Sequence, residues 1–575
     1  MKLFTRLLFA TLLTALAAPS TSAQVYATGA FNEWDALNPL EFTRQQDGIY
    51  SLTIDFSKDT AFKLSTVKGT SGNGWTEFDT GILSFTTTTP AAGLWLPIEK
   101  NGNIYNMQAP ANKTLTIYVD LDNMRAKIGN DDEIHAWSGT LPVLFINTEN
   151  NTPITSKEDY LTATYYLDAM GVEGVSDIGT AEAPLTMQIR GRGNYTWTGF
   201  DKKPYRLKLT DKQPMLGMTK SKHWALLANA DDNMGFMRNF TGFTASELLG
   251  MPWTPASQPC EVVLNGDYIG LYFLTETIRV DKDRVNVVEL EDNATTDVDG
   301  GWLVEIDNYD TDPHVTVNEN GNAMMPIWFT YKSPEILSAE QHDYLQSQMQ
   351  AIDNAIYSSA LNNIQPLAQL VDLDILARFY ICQELLDDTE SFHGSCYLNR
   401  QRGADEKWKF GPVWDFGNGM GRKNSQKFIY QDPTFSQVWI GTICRFPAFQ
   451  EVIRSVWKEF LNSNGADNLL DSMNAFADYI AAAAVCDAAR WPAYGNADEL
   501  TRAAEAHQFV SDRITWLKSQ WGEGGNSDIS DITAGNSDAR TEYYNLNGIR
   551  IDAGALTPGL YVRRTGTSAE KVIIR

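Results

Sequence analysis

The chain has 575 residues, a formal net charge of −26 and an isoelectric point near 4.6. A chain this acidic repels phosphate backbones, which disfavours nucleic acid as a partner, and it attracts divalent cations instead. Since 43% of its residues are hydrophobic and 16 are tryptophan, it can build large cores. Global disorder is therefore excluded, and roughly two to four domains are expected.

Residues 1–23 have the pattern of a secretory signal peptide. Lys2 and Arg6 give a positive start, and an apolar run follows over residues 7–18. This run is too short to span a bilayer, and Thr21-Ser22-Ala23 offers small residues for cleavage. The sequence thus predicts a protein exported to the periplasm, the cell surface or the medium. No later stretch is expected to be long and apolar enough to cross a membrane.

Residues 24–130 are predicted to form a β-sandwich. The stretches VYATGAFNEW, GIYSLTIDF and KTLTIYVDLDN alternate apolar and polar residues, with Gly, Asn and Asp at the breaks. The opening VYATGAFNEWD resembles the first strands of glycogen- and starch-binding sandwich domains. This resemblance implies that exposed Trp34, Trp75 and Trp95 stack on the sugar rings of an α-glucan. The alternatives are that these indoles fill the sandwich core, or that the domain is a spacer.

Residues 139–522 are predicted to form a larger α+β domain in which strands come first. Strand patterns occur in LTMQIRGRG, PYRLKL, CEVVLNG, IGLYFLTE and GGWLVEID, and Asn265-Gly266 predicts a tight hairpin. Apolar residues at helical spacing follow in AEQHDYLQSQMQAIDNAIYSS, DLDILARFYICQELL and QEVIRSVWKEFLNS. This order favours two lobes, one rich in strands and the other rich in helices.

The C-terminal residues carry a linker and a short β segment. Residues 523–540 are rich in Gly, Ser, Asn and Asp, which is the composition of a linker. Residues 541–575 are predicted to form three or four short strands. They resemble the C-terminal segments of secreted Bacteroidetes proteins, some of which are sorting signals. A plain β appendage is the alternative.

The stretch FGPVWDFGNGMG contains the D-F-G triplet that marks the magnesium-binding Asp of protein kinases. The other parts of an ordinary protein kinase are missing, since the chain has no V-A-I-K strand, no H-R-D loop before the triplet and no A-P-E after it. An ordinary protein kinase is therefore excluded. The triplet alone is weak evidence for a kinase-like metal site, so other parts of the chain must support it.

A glycine-bearing turn followed by a lysine-bearing strand is one feature that fits a kinase, although on these residues alone a plain hairpin is favoured. In IRGRGNYTW, Gly191 and Gly193 allow the backbone to bend and to approach a ligand. The next strand, DKKPYRLKL, presents Lys203 and Lys208, so that a loop over phosphates precedes a lysine-bearing strand, as in a nucleotide-binding lobe. A hairpin with solvated lysines is the alternative.

A series of phrases then occurs in one order: G-R-G-N-x-x-W, K-K-P-Y-R-L-K-L, W-x-L-L-A-N-x-x-D, M-R-N, V-V-L-N-G-x-Y-x-G-L-Y-x-L-x-E, G-G-x-L-x-E and V-W-D-F-G. Together they resemble the spore-coat protein H (CotH) kinase family over residues 141–460. The resemblance implies an atypical, secreted kinase fold that transfers the γ-phosphoryl of ATP to Ser or Thr of a protein with a divalent metal (Mg, Mn or Ca). Glu276, at the end of IGLYFLTE, joins the glycines and lysines as a cofactor-binding candidate.

The resemblance assigns roles to the acids with two departures from the family pattern. Asp415 falls on the family's metal-binding Asp, and Asn418 is a further metal-ligand candidate. The catalytic acid, usually in a phrase like G-N-x-D, corresponds to Glu390, with Asp388 as the other candidate. Many relatives also carry an acid two residues after the metal-binding Asp, and here that residue is Gly417. Capping of a helix–loop junction is the alternative role for Asp388 and Glu390.

The sequence therefore predicts a secreted, CotH-like atypical Ser/Thr protein kinase. The main alternative is a non-catalytic cell-surface module of the same fold that binds glycan or partner proteins. A hydrolase ranks last, because no G-x-S-x-G or H-E-x-x-H phrase occurs. The five cysteines are scattered without C-x-x-C spacing, which gives little support to a zinc site.

Overall fold

The computed structural model describes most of the chain between residues 24 and 574. The predicted signal peptide, and all of the predicted linker except Glu523, lie outside the described residues. The described residues are 24–45, 49–85, 90, 96–100, 106–111, 113–121, 124–129, 136–421, 426–432, 438–492, 494, 499–523, 541–544, 550–551, 559–565 and 568–574. The chain divides into two compact units, Met1–Ala136 and Trp137–Arg575.

The first unit is built from short antiparallel strands. Its described elements are β1 Tyr26–Gly29, β2 Leu40–Glu41, β3 Thr43–Arg44, β4 Tyr50–Asp55, β5 Ala61–Ser65, the helix α1 Trp75–Phe78, β6 Ile82–Phe85, β7 Leu96–Lys100, β8 Met107–Gln108, β9 Thr114–Asp120 and β10 Arg125–Gly129. The strands form one sheet in the order β2-β1-β5-β6-β7-β10-β9-β4-β3, with β8 on the side of β5.

This sheet folds over an apolar core, which confirms the predicted sandwich. The core combines residues from the β1–β5 half, such as Phe62 and Leu64, with residues from the β4–β9 half, such as Ile54 and Ile117. Phe56 lies between the halves with its ring 5.5 Å from that of Phe62. Alternating apolar residues in the sequence therefore became the inward faces of two layers.

The second unit begins with a closed barrel. Its elements are β11 Val143–Thr148, β12 Leu161–Asp168, β13 Leu185–Gly191, α2 Tyr195–Gly199, β14 Tyr205–Gln213, β15 Ser221–Leu227, α3 Met237–Leu248, β16 Ser257–Leu264 and β17 Asp267–Glu276. The strands follow the order β11-β12-β13-β14-β15-β17-β16, and β11 closes the ring by pairing in parallel with β16. The predicted hairpin is confirmed, since Asn265 and Gly266 both have positive φ angles between β16 and β17.

A five-stranded antiparallel sheet and a set of helices follow the barrel. The elements are β18 Trp302–Asp307, β19 His314–Asn318, β20 Pro326–Ser333, α4 Ala339–Ser358, α5 Gln365–Leu370, α6 Leu373–Leu386, β21 Cys396–Arg400, β22 Lys409–Phe410, α7 Ile440–Ile443, α8 Pro447–Asn462, α9 Gly465–Arg490 and α10 Glu499–Trp521. The strand order is β19-β20-β18-β21-β22.

The predicted helices are confirmed, and local signals in the sequence explain where they begin. Ser338 accepts a hydrogen bond from the Gln341 backbone N–H, and the Gln341 side chain accepts one from Ser338 N–H, which forms a capping box at α4. Asp372 accepts from Ile375 N–H at the start of α6. Pro447 occupies the first position of α8, where its missing N–H costs nothing.

The last described strands form a separate four-stranded sheet. They are β23 Thr541–Tyr544, β24 Arg550–Ile551, β25 Gly559–Thr565 and β26 Ser568–Ile574, in the order β24-β23-β25-β26. The predicted three or four C-terminal strands are confirmed. The whole chain is a mixed α/β protein of more than one domain.

One expectation about apolar segments needs correction. Among the described helices, α9 is long and apolar enough to cross a membrane by length and composition. Its apolar residues Leu469, Phe476 and Ile480 are buried in the core of the second unit, so the same composition serves the packing of a protein interior. All five cysteines are buried.

Candidate functional site

Several turns of the second unit surround one cavity of about 490 Å³. They are the turn after β13, the turn after β15, the loop between α6 and β21, and the segment after β22. The β18 strand and the loop that follows it complete the wall. The residues that line this cavity include Arg192, Gly193, Asn229, Asp231, Glu305, Asn308, Lys332, Glu390, Asp415, Gly417 and Asn418.

The glycine-bearing turn after β13 brings Arg192 into the cavity. Gly193 has a φ of +79°, which is unfavourable for other residues. A Cβ atom on Gly191 would clash with the ring of Trp197, so the turn must be bare at that point. The Arg192 guanidinium lies 5.5 Å from the centre of the Trp414 ring. Burial lowers the pKa of Arg192, and the nearby charge of Asp415 acts in the opposite direction.

The turn after β15 is locked to the start of α3. The Asp232 carboxylate accepts hydrogen bonds from Met234 N–H at 2.8 Å and from Arg238 N–H at 3.0 Å. The Arg238 guanidinium then donates to the backbone carbonyls of Asp231 at 3.0 Å and Gly417 at 2.7 Å. One buried arginine therefore holds two walls of the cavity in a fixed relation.

Asp415 faces the cavity because the residue after it is anchored in the core. Phe416 is fully buried, its ring fills the space beside Gly242, and its N–H donates to the Asn239 side chain at 3.3 Å. Asp415 adopts a left-handed backbone conformation with a φ of +59°, which Asp tolerates better than most residues. Its carboxylate lies 3.5 Å from the Ser395 hydroxyl.

The loop after α6 places its two acids differently. Asp387 ends the helix with a φ of +53°, and the chain then turns back under the cavity. Asp388 is 1% exposed and accepts from Glu390 N–H at 3.2 Å. Glu390 reaches the cavity, where its carboxylate accepts hydrogen bonds from the side-chain amides of Asn308 and Asn418.

Burial raises the pKa values of three acids in and below the cavity, and neighbouring negative charges add to this effect. Burial, followed by the charge of Asp415, raises the pKa of Glu390. Burial is also the main cause that raises the pKa of Asp388 well above its usual range. The pKa of Asp231 rises to about 6, first through burial and then through the charge of Asp415. The negative charge is thus concentrated where a cation would relieve it.

Three cofactor-binding candidates do not lie on this cavity. The Lys203 ammonium donates to the Trp197 carbonyl at 2.7 Å and so supports the glycine turn from behind. Lys208 is exposed, because it alternates with the buried Leu207 along β14 and therefore points away from the barrel core. Glu276 is buried at the end of β17, where it accepts from Ala256 N–H at 3.1 Å and lies 3.6 Å from Arg284. All three were predicted to contact a nucleotide, and none of them lines this cavity.

The neighbouring Lys202 is also structural. Its ammonium is buried, donates to the Leu271 carbonyl at 2.8 Å and lies 2.6 Å from the Asp487 carboxylate on α9. Lys202 therefore joins the barrel to α9 and does not line the cavity.

Other functional candidates were missed by reasoning from the sequence. Arg192 lies between the two glycines of the G-R-G phrase, and this position could have marked it as a ligand contact. Lys332, on β20, faces the cavity and pairs with Glu305 at 2.9 Å, and no local pattern marks it. Asp231 lies beside Asp232, the last residue of the phrase W-x-L-L-A-N-x-x-D, and no local pattern distinguishes the two acids.

The donor set fits a divalent metal that is completed by a ligand. Among the described residues, no group of three Asp, Glu, His or Cys side chains can hold a metal ion by itself. Magnesium in nucleotide sites typically takes one or two carboxylates together with substrate phosphates. Asp415 and the Asn418 side chain provide oxygen atoms at one wall, and Asp388 Oδ2 is buried below it without a hydrogen-bond partner.

Comparison with known proteins gives a family match and a distant structural match. A family model described as "CotH kinase protein" matches residues 189–517. A crystal structure of SusF from Bacteroides thetaiotaomicron matches with 10% sequence identity and a TM-score of 0.17. That match covers 36% of this chain and 51% of the SusF chain, so it spans about half of that structure's length. No curated protein matches.

Proposed function

The chain belongs to the CotH kinase protein family, and we propose that it is an exported atypical kinase that transfers the γ-phosphoryl of ATP to Ser or Thr of a protein acceptor. The observation that carries this proposal is the meeting of Glu390, Asp415 and Arg192 on one cavity. An acid for the acceptor, an acid for metal and a cation for phosphate are the parts that phosphoryl transfer needs.

The proposed kinase has two lobes. The barrel β11–β17 is the nucleotide lobe, and its glycine-bearing turn covers the phosphates. The sheet β18–β22 with the helices around it is the lobe that carries the catalytic acids. The signal peptide 1–23 and the sorting-like segment 541–575 would direct the protein to the periplasm, the cell surface or the medium.

Asp415 and Asn418 are proposed to hold a divalent metal, which would be Mg, Mn or Ca. When bound, such an ion neutralises the triphosphate and aligns its oxygens. Asp415 is suited to this role because the buried Phe416 fixes its backbone and leaves its carboxylate directed at the cavity.

Arg192 and Lys332 are proposed as the phosphate contacts in place of Lys203 and Lys208. Arg192 is held over Trp414 by the glycine turn, so its guanidinium is oriented before ATP arrives. Lys332 is balanced by Glu305 at 2.9 Å, an arrangement that keeps a lysine extended towards a ligand. Gly193 lets the backbone of the turn approach the phosphates closely.

Glu390 is proposed as the general base for the acceptor hydroxyl. Amide groups of Asn308 and Asn418 hold its carboxylate at the cavity wall, so one oxygen can accept the hydroxyl proton as the oxygen–phosphorus bond forms. Burial and the charge of Asp415 raise the pKa of Glu390, which makes it a stronger base. Asp388 is buried behind it and fixes its backbone N–H, so it ranks second for this role.

Titration calorimetry with the mature protein tests the nucleotide site. ATP is expected to bind in the presence of magnesium, manganese or calcium and to lose binding in EDTA. Equal heats in both conditions would overturn the proposed metal role. If labelled phosphate is transferred neither to the protein nor to a Ser/Thr-rich acceptor with any of these metals, the non-catalytic binding module is the better description.

A second proposed function concerns the first unit, which we propose binds an α-glucan weakly. Trp34 and Trp75 are partly exposed, and their ring centres lie 6.5 Å apart, which supports a small stacking surface. Trp95 lies outside the described residues. Retardation of the protein in glycogen-containing gels tests this proposal, and unchanged mobility would leave the unit as a spacer.

A further inference from the structure

The missing side chain at Gly417 leaves a space beside the proposed metal ligand Asp415. A Cβ atom on Gly417 would lie 3.2 Å from Asp231 Oδ2 and 3.4 Å from Asp415 Oδ1. Two carboxylates from turns far apart in the chain therefore flank the same point. The Asp231 side chain, which belongs to the turn after β15, extends into this space.

The position of Asp231 is set by the surrounding structure rather than by a flexible loop. The Arg238 guanidinium donates to the backbone carbonyls of both Asp231 and Gly417, which ties the two turns together. The adjacent Asp232 uses both carboxylate oxygens to cap the start of α3. Of this pair of acids, Asp231 is therefore the one whose carboxylate is left to the cavity, which it lines together with Asp415.

Simple electrostatics makes this arrangement unfavourable for ATP alone. Two carboxylates that share a partly buried site repel each other, and both would repel a triphosphate. A divalent cation between them removes both repulsions. The buried Asp388 Oδ2, which has no hydrogen-bond partner, lies in the loop below and adds to the demand for positive charge.

We propose that Asp231 is the second carboxylate ligand of the divalent metal and takes the place of the acid that many relatives carry at the position of Gly417. This inference rests on the proposed function and deepens it. Two carboxylates, with the remaining positions filled by phosphate oxygens and water, match the way proteins hold magnesium beside a nucleotide. The metal site is thus kept although one of its expected acids is absent, because the carboxylate comes from another turn.

Manganese binding provides a readout that does not depend on catalysis. Free manganese is measured by electron paramagnetic resonance while the full mature protein is titrated with a non-hydrolysable ATP analogue present. Asp231→Asn is expected to weaken manganese binding on the order of 10- to 100-fold, at least as much as the loss of an outer-shell partner of a metal. Asp211→Asn makes the same change of charge at an exposed position outside the cavity and is expected to bind manganese like the wild type.

Moving the carboxylate from residue 231 to residue 417 tests whether metal binding needs an acid at this point of the cavity. The double variant Asp231→Ala/Gly417→Asp is expected to recover most of the manganese affinity, because removal of Asp231 vacates the space that a side chain at residue 417 needs. Gly417 does not have a positive φ, so the backbone accepts the new residue. Asp231→Ala alone is expected to remain weak. The same folded signal by circular dichroism in all variants separates metal loss from unfolding.

The outcomes distinguish this inference from the proposed function. If Asp415→Asn loses manganese while Asp231→Asn binds it like the wild type, the role of Asp231 is overturned and the kinase proposal stands. If the double variant binds no better than Asp231→Ala, the relocation argument is overturned. If the wild-type protein binds no manganese with the nucleotide analogue, the inference and the proposed metal-dependent function fail together.

Discussion

The two units of this chain differ in how many charged residues they bury. In the described part of the first unit, Asp120 and Lys127 are the charged residues that are buried, and Asp120 pairs with Arg125 at 2.8 Å. The second unit buries many charges: Lys202, Arg238, Glu261, Glu276, Arg284, Glu305, Glu319, Asp353, Glu384, Asp387, Asp388, Arg400, Asp487 and Arg513.

Some of the charges buried in the second unit hold the turns around the cavity in place. A buried ion pair often stabilises a fold no better than apolar residues of the same size, because both charges lose their water. Charges are nevertheless placed where turns must be held in one position around the cavity. Arg238 joins two such turns, and Arg513 contacts Glu384 and lies 3.4 Å from Asp387, below the loop that carries Glu390. The first unit has an apolar core and needs no such device.

The two units also differ in how deeply their tryptophans are buried. The largest fully buried tryptophans all belong to the second unit, and they are Trp224, Trp302, Trp408, Trp439 and Trp457. In the first unit, Trp34 and Trp75 are only partly buried. They therefore do not fill the sandwich core, which was the alternative raised by the sequence.

The largest expected effect comes from Asp415. Asp415→Ala is expected to lower phosphoryl transfer about 10³-fold or more, comparable to the loss of a strong electrostatic contact in an active site. Metal-dependent ATP binding should fall as well, because a metal ligand acts on the bound nucleotide before and during the reaction. Label transfer and calorimetry measure the two effects. A variant that transfers phosphate as well as the wild type would contradict the kinase assignment.

Substitution of Glu390 is expected to lower turnover without weakening ATP binding. Glu390→Gln is expected to lower kcat by about 10²- to 10⁴-fold, the usual contribution of a general base, while ATP affinity stays close to that of the wild type. Asp388→Asn is the matched control in the same loop, since Asp388 is buried and acts through the Glu390 backbone. If Asp388→Asn shows the loss of turnover and Glu390→Gln does not, the two roles must be exchanged.

Loss of a buried ion pair in the second unit is expected to lower the unfolding free energy more than loss of an exposed pair in the first unit. Lys202→Met leaves the Asp487 carboxylate buried without its ion partner, and it is expected to cost about 3–5 kcal/mol of unfolding free energy. Lys63→Met removes the more exposed pair with Asp79 in the first unit, and it should cost less than about 1 kcal/mol. Urea unfolding followed by limited proteolysis measures both. Equal losses would contradict the contrast drawn between the units.

The buried acids should give the second unit a pH-dependent stability. Burial raises the pKa of Glu261 from its ordinary value to about 7, although Ser138 and Tyr268 donate hydrogen bonds to it. Because the pKa is raised on folding, this contribution to stability is present below the ordinary pKa and is lost as the pH rises through about 7. The loss is of the order of a few kcal/mol.

Glu261→Gln tests this dependence. The variant is expected to be less stable at pH 5, since its amide group faces the Ser138 and Tyr268 donors, but its stability should change less between pH 5 and pH 8. Thermal melts across this range measure the slope. An unchanged slope would show that other groups cause the pH dependence.

The smallest effect on folding is expected from the aromatic pair of the first unit. Trp34→Ala is expected to cost about 1 kcal/mol of stability at most beyond its lost packing, since a pair of aromatic rings contributes about that much. Any retardation in glycogen gels should nevertheless disappear. Leu40→Ala, at an exposed position of the same unit, is the control that should keep it. Retention of glycogen binding by the tryptophan variant would place the sugar elsewhere.

Local patterns in the sequence were sufficient for much of this protein. Helical spacing and capping residues predicted α4 and α6, and the Asn265-Gly266 pair predicted the hairpin between β16 and β17. The order of the family phrases predicted the family that the residues 189–517 match. Asp415 and Glu390 were named from the same phrases, and the structure brings both to one cavity. These features depend on residues close together in the chain, so a linear pattern records them.

The tertiary structure alone decided which charged side chains share the cavity. Lys208 was predicted to face a nucleotide, but its place in β14 turns it outward, whereas Lys332 of β20 faces inward. Asp231 and Gly417 are brought together by Arg238, although the two turns lie far apart in the sequence. Whether a side chain on a strand points in or out depends on strand register and barrel closure, and contact between distant turns depends on packing. Neither is written in any short stretch of residues.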